Sequence, residues 1–268
     1  VLLFTVHHYR IIANVVHKVQ RSYRDRTVTK ISTDILTKIT KELKYKFKRA
    51  GTNGNLIAVV LDESGSMMPV QSATIAGFNE FVQGQRAAVN AGAATLTLNK
   101  FDAPHIKNVF RDRPLSEVPD LTTASYTPNG GTNLLDAIGQ TIYEVDAALA
   151  ARKKKDRPGV IVLIMTDGEE NSSHIYSNDQ IKSMVAAAEQ ANWSFVFLGA
   201  NIDAFSVGAG FGMNALNSVN YSTDKMSGTM TALSDTTLRM RSAKMSGMDT
   251  HAVYAATSMT AEERDRIK

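Results

Sequence analysis

Two six-residue runs, LIAVVL at Leu56–Leu61 and VIVLIM at Val160–Met165, leave this chain few ways to fold. Both are short, continuous and rich in β-branched residues, as strands covered on both faces of a parallel sheet should be. FVFLG at Phe195–Gly199 reads as a third such strand. TLTLNKF at Thr95–Phe101 instead alternates polar with apolar and is joined by a short DAP connection to HIKNVF at His105–Phe110. Those two are expected to pair as a hairpin toward a sheet edge. Helical patterns occupy the intervals at Val70–Val89, Asn133–Ala151 and Asn178–Gln190. Such alternation predicts the α/β class, with a doubly wound, mostly parallel sheet. Further on, NIDAFSVGAGFG reads as a short glycine-capped helix, NSVNYS as a last edge strand, and Asp224–Ala243 as a final helix whose methionines fill the core.

Charge divides the chain. Residues 1–50 hold 12 Lys/Arg against 3 Asp/Glu, whereas the remainder holds 18 against 23, so a basic arm precedes an acidic body. Within the arm, Ile31, Ile35, Ile39, Leu43 and Phe47 recur every fourth residue among lysines, which predicts an amphipathic basic helix over Lys30–Arg49. AGTNGN at Ala50–Asn55 then reads as a linker. The expected organisation is a basic helical extension at 1–50, an α/β domain at 53–245 and a tail at 246–268. The arm could contact nucleic acid or an anionic membrane, although a solvated helix face is the favoured reading. The apolar opening, VLLFTVHHYRIIANVV, is too short and too interrupted to span a bilayer and lacks the marks of a signal peptide. The first residue is Val rather than Met, so sequence upstream is expected. There is no cysteine, which excludes disulfides and thiolate metal sites and leaves oxygen-ligand cations open.

Chemistry gathers at the ends of the apolar runs. Directly after the first comes DESGSM; in an extended segment the side chains of Asp62, Ser64 and Ser66 would share one side. After the second comes TDGEEN, delivering Asp167, with Gly168 giving clearance. Between them TPNGGTNLLDAI places Thr132 after a glycine turn and near a helix start. The carboxyl ends of central strands are where open α/β sheets bind their ligands. Two carboxylates and three hydroxyls suit Mg²⁺, which takes oxygen ligands in an octahedron and keeps some waters. Mn²⁺ would fit nearly as well and Ca²⁺ less well. Neutral hydroxyl donors would leave the ion short of negative charge and open to an outside acid. Glu63, Glu169 and Glu170 read as solvated or tuning charges rather than ligands, and Trp193 as core.

With these residues in place the chain resembles the von Willebrand factor A (vWA) family, whose metal-ion-dependent adhesion site (MIDAS) has the form Asp-x-Ser-x-Ser, then a loop Thr, then an Asp before Gly. Asp62, Ser64, Ser66, Thr132 and Asp167 fill every position, and the resemblance spans about Asn53–Ala243. It implies a Rossmann-like sheet with an antiparallel edge strand, and a Mg²⁺ held by Ser64, Ser66 and Thr132 with Asp62 and Asp167 nearby, often through water. It also implies a Glu or Asp from a partner protein completing the coordination. TDGEEN and GGTNLLDAI look more like intracellular bacterial and bacteriophage members, so a cytoplasmic location is expected. MMPV follows Ser66, so the second cation site of some integrin domains is not expected.

The expected function is therefore a metal-dependent protein-binding module without turnover. The alternative is a Mg²⁺-dependent phosphohydrolase of haloacid-dehalogenase type with Asp62 as nucleophile. Such enzymes carry a second acid two residues on, where this chain has Ser64. A serine hydrolase is weaker still, because Ser64 lacks the Gly-x-Ser-x-Gly elbow.

Overall fold

The computed structural model describes residues 46–88, 93–200, 203–214, 217–221 and 225–267. The chain divides into two compact units, 1–45 and 46–268, and all described residues belong to the second. The basic helix expected over Lys30–Arg49 falls largely outside the described residues. Its last part does not: residues 46–50 carry no helical structure.

In chain order the elements are β1 (Asn55–Asp62), α1 (Gln71–Ala87), β2 (Ala94–Asp102), β3 (His105–Pro114), α2 (Leu134–Ala150), β4 (Gly159–Thr166), α3 (Asn178–Gln190), β5 (Trp193–Ala200), α4 (Ala204–Gly210), β6 (Ser218–Tyr221), α5 (Met226–Met245), α6 (Thr250–Thr257) and α7 (Ala261–Ile267). A six-stranded sheet runs β3-β2-β1-β4-β5-β6, parallel throughout except for β3, which pairs antiparallel with β2 at one edge. The expected α/β class, the three buried strands and the edge hairpin are all present.

The apolar runs explain the layering. Every residue of β1 and of β4 is buried. Alternate side chains serve opposite faces. Ile57, Val59 and Leu61 join Phe78, Phe81 and Val82 of α1 and Met230, Leu233 and Met240 of α5. Leu56, Ala58 and Val60 join Ile138, Ile142 and Val145 of α2 and Ile181 and Val185 of α3. The sheet is thus the middle of three layers, which is why neither run alternates with polar residues. Among the described residues no helix is long and apolar enough to cross a membrane.

Both expected domain boundaries shift outward. At the front, Phe47 and Ala50 are buried beside the sheet: the Phe47 and Trp193 rings lie 5.6 Å apart, Trp193 Nε1 donates to the Lys48 carbonyl at 3.0 Å, and the Ala50 amide donates to the Ala191 carbonyl at 2.8 Å. Trp193 is core, as its sequence context suggests. At the back, the stretch after Ser246 is no loose tail, since α6 buries Val253 and Tyr254. Tyr254 Oη accepts from the Phe195 amide of β5 at 2.9 Å and donates to Glu189 Oε1 at 2.7 Å. Helices of eight and seven residues are too short for apolar periodicity to register. Tyr254→Phe should leave a buried strand amide without its acceptor and cost about 1–3 kcal/mol in urea unfolding. No loss of stability would mean that α6 merely rests against the domain.

Candidate functional site

Starting from β1, the strand order proceeds outward through β2 in one direction and through β4 in the other, so a crevice opens at the carboxyl ends of β1 and β4. Their parallel register, ending at Leu61↔Met165, sets Asp62 beside Thr166. Asp62 is fully buried, with Oδ1 accepting from the Ser64 amide at 2.7 Å and Oδ2 from the Thr166 hydroxyl at 2.5 Å. Tyr126, also fully buried, donates its hydroxyl to the Asp62 carbonyl at 2.5 Å.

Ser64 and Ser66 meet, but not by strand alternation. The extended backbone stops at Ser64, which heads a short 3₁₀ turn over Gly65–Val70, and Ser66 swings round within that turn. The two hydroxyl oxygens end 3.0 Å apart. Ser66 donates its proton to Asp167 Oδ1 at 2.7 Å, leaving Ser64 as donor between the serines. A chain of oxygens therefore runs Ser64, Ser66, Asp167 across the crevice.

Thr132 arrives from the loop before α2. Its amide donates to Asn171 Oδ1 at 2.9 Å, and its carbonyl accepts from the Asn171 and Ser172 amides at 3.0 and 3.2 Å, stitching this loop to the one after β4. Thr132 is buried as a residue. A Cβ placed on Gly168 would lie 3.1 Å from Thr132 Oγ1 and 3.4 Å from Ser66 Oγ. Gly168 thus keeps open the space between the two hydroxyls. All five expected residues come together.

Burial pushes both carboxyl groups up from the ordinary aspartate value. Burial raises Asp62 to about 6, partly offset by the hydrogen bonds from Thr166 and Ser64, and the neighbouring Asp167 charge adds a smaller upward push. Burial also raises Asp167, offset by the hydrogen bond from Ser66. Two like charges held in a partly desolvated crevice beside unspent hydroxyl oxygens suit a hard divalent cation. Among the described residues no three His, Cys, Asp or Glu side chains cluster well enough for a metal. A cation here would depend on the hydroxyls.

Several supporting residues escape a reading of spacing. Asp136, in the first turn of α2, accepts from the amides of His174, Ile175 and Tyr176, each at 2.9 Å. Glu170 is no solvated charge: it caps α2 through the Leu135 amide at 2.9 Å and accepts from Ser172 and Ser173. Glu63 is likewise fully buried and ion-paired with Lys100. The acid near the start of a helix was a visible signal for Asp136; nothing in the local sequence marks which acid is covered.

No protein-family model matches the chain, and no curated protein sequence does. Solved structures do. Two structures of proximal thread matrix protein 1 from the mussel byssus superpose with TM-scores of 0.51 and 0.52 at 12% identity, over 70% of this chain and 49% and 48% of theirs. A further structure of that mussel protein, with a zinc-occupied MIDAS motif, gives a TM-score of 0.49 at 12% identity, over 70% and 48%. The chain spans about half the length of these mussel structures. The likeness is one of fold, and that fold is the vWA type of Rossmann-like sheet.

For Asp62 the folded-state value exceeds the unfolded one, so ionisation costs stability, and the cost grows as pH rises from about 4 to about 6. Two pH units correspond to at most about 3 kcal/mol. In Asp62→Asn, Oδ1 can still accept from Ser64, and the Thr166 hydroxyl can turn to the Gly168 carbonyl, 3.2 Å away. With chelator present, Asp62→Asn should therefore be more stable than wild type at pH 7 and indistinguishable from it near pH 4. Urea unfolding across that range checks the sign, and a gap that widens toward low pH contradicts it.

Proposed function

We propose that the protein is a divalent-cation-dependent protein-binding module without catalytic turnover. In this reading Ser64, Ser66 and Thr132 hold the ion, Asp62 stands behind it through water, and Asp167 lies nearby, directly or through water. One observation carries the reading: three hydroxyls and two carboxylates from three separated loops converge at the sheet's switch point, around a gap kept clear by Gly168. Such oxygen donors favour Mg²⁺, with Mn²⁺ next. When bound, the ion supplies a Lewis-acidic centre for one carboxylate oxygen from outside, which makes a Glu or Asp of another protein the expected partner group.

The chain's own residues have distinct tasks. Thr166 and the Ser64 amide orient the Asp62 carboxylate. Ser66 donates its hydroxyl proton to Asp167 Oδ1, a hydrogen bond that would have to give way for both oxygens to face a cation. Asn171 holds the Thr132 backbone so that its hydroxyl faces the gap. A phosphohydrolase is disfavoured by the same geometry: a nucleophilic carboxylate needs a free oxygen facing substrate, whereas Asp62 is fully buried with both oxygens engaged. The fold it shares with a matrix protein of the mussel byssus is compatible with this preference.

Mg²⁺ at 100 times its Kd should stabilise the wild type by about 2.7 kcal/mol. The gain should vanish in Asp62→Ala and shrink strongly in Gly168→Val, whose side chain would enter the gap. Partner capture should likewise occur in Mg²⁺ and stop in chelator. Undiminished capture in excess chelator would falsify the ion-dependent reading.

A further inference from the structure

The loop that carries Thr132 is fastened to the end of β1 by a buried ion pair whose side chains make no hydrogen bond to either expected carboxylate ligand among the described residues. Glu63 follows Asp62 in sequence, is 0% exposed, and accepts Lys100 Nζ at 2.5 Å and the Thr127 amide at 2.7 Å on the same oxygen, Oε1. Lys100, on β2 and 6% exposed, donates from the same ammonium to the Ser125 carbonyl at 2.5 Å. The Glu63 backbone adds two further ties: its carbonyl accepts from Asn129 at 2.8 Å and its amide donates to the Phe101 carbonyl at 2.8 Å. Two residues on, Gly65 donates to the Gly130 carbonyl at 3.0 Å. Residues 125–130 are therefore tied to β1, to its following turn and, through Lys100, to β2, and the Glu63 and Lys100 side chains account for the ties at 125 and 127.

We propose that the Glu63–Lys100 pair acts as a positioning device that sets the affinity of the site for a divalent cation, by holding the 125–132 loop where Thr132 Oγ1 faces Ser66. This inference rests on the cation reading above. The physical reason is pre-organisation. A loop of this composition, Ser-Tyr-Thr-Pro-Asn-Gly-Gly-Thr, has little apolar surface besides Tyr126 with which to hold itself in place. If it is competent only a fraction of the time, the apparent Kd rises by the inverse of that fraction. The pair is overall neutral, so its part in affinity is geometric rather than a contribution of net charge beside the ion. Lys107 Nζ, half exposed, stands 3.8 Å from Glu63 Oε2, which otherwise lacks a hydrogen-bond partner, and 3.3 Å from Asp102 Oδ2. The exposed ammonium closes the cluster on its open side.

Removing one partner alone would strand a buried charge and threaten the fold, so the informative variant is Glu63→Gln/Lys100→Met. It keeps an acceptor for the Thr127 amide and leaves the net charge unchanged. Mg²⁺ binding by calorimetry and amide hydrogen exchange would be measured on the wild type and on this variant, both as the full chain. The expected result is a variant of native circular dichroism whose Mg²⁺ Kd is raised about 10-fold, corresponding to a loop competent about a tenth of the time. The Thr127, Asn129 and Gly65 amides should exchange faster in that variant without metal and recover protection at saturating Mg²⁺. A merely structural role would not produce this metal-dependent recovery. An unchanged Kd, or a raised Kd with loop amides as protected as in wild type, overturns the positioning role while leaving the cation reading intact. A wild type that takes up no Mg²⁺ overturns both. Should the double variant fail to fold, Lys107→Met tests the same cluster from its exposed side. A raised Kd with faster exchange at Thr127 supports the proposal, and neither change overturns it.

Discussion

Parallel pairing of β1 with β4, in register from Asn55↔Gly159 to Leu61↔Met165, is the constraint on which the site depends. Strands lie about 4.8 Å apart in a sheet. Two neighbouring strands, one ending in an acid and the other followed at once by one, must therefore bring those acids close unless the turns carry them away. Here the turns do the opposite. The 3₁₀ turn after β1 folds Ser66 back onto Asp167, and Thr166 donates to Asp62. Burial on both faces of β1 and β4 is what makes the register strict, because a slip of one residue would exchange the two helical layers.

The same pairing creates an electrostatic burden. Asp62 has no salt-bridge partner among the described residues, and burial raises its pKa, with the Asp167 charge adding to the push. Most buried acids elsewhere in the domain are relieved: Glu63 by Lys100, Asp136 by three backbone amides, Glu263 by Arg239 at 2.7 and 2.8 Å. Asp62 and Asp167 are relieved only by hydroxyls and backbone amides. Unrelieved charge beside unused hydroxyl oxygens is a familiar compromise at functional sites, where local stability is given up for binding. The surrounding loops are correspondingly tightly tied. Asp136, Glu170 and Asn171 bind the loop after β4 to the start of α2, so the oxygens are held by these loop ties as well as by their own hydrogen bonds.

Much of this was visible in the chain itself. Continuous apolar runs marked the central strands, an alternating run marked the hairpin at the edge, and the order of Asp62, Ser64, Ser66, Thr132 and Asp167 singled out residues that the structure brings together. What went unseen was context-dependent. Ser66 reaches its place through a turn rather than along a strand, because Gly65 begins a helical turn that alternation cannot anticipate. Phe47, read as the last rung of a basic helix, is instead packed on Trp193. The Thr260 and Glu263 pair that opens α7 is a capping box, with Thr260 donating its amide to Glu263 and Glu263 donating back to the Thr260 hydroxyl. That signal was present in the sequence, but seven residues offered no periodicity to accompany it.

The sequence by itself determined the α/β class, the identity of the buried strands and the list of oxygen-bearing residues, because each follows from local pattern: hydrophobic period, glycine placement and the residue that follows a strand. Only the tertiary structure decided that β1 and β4 are neighbours, that Glu63 is a buried ion-pair partner while Asp167 remains half exposed, and that residues 246–267 complete the domain. These depend on which surfaces meet after the chain has closed on itself, and two acids alike in local sequence become different chemical groups once one is given a lysine and the other is not.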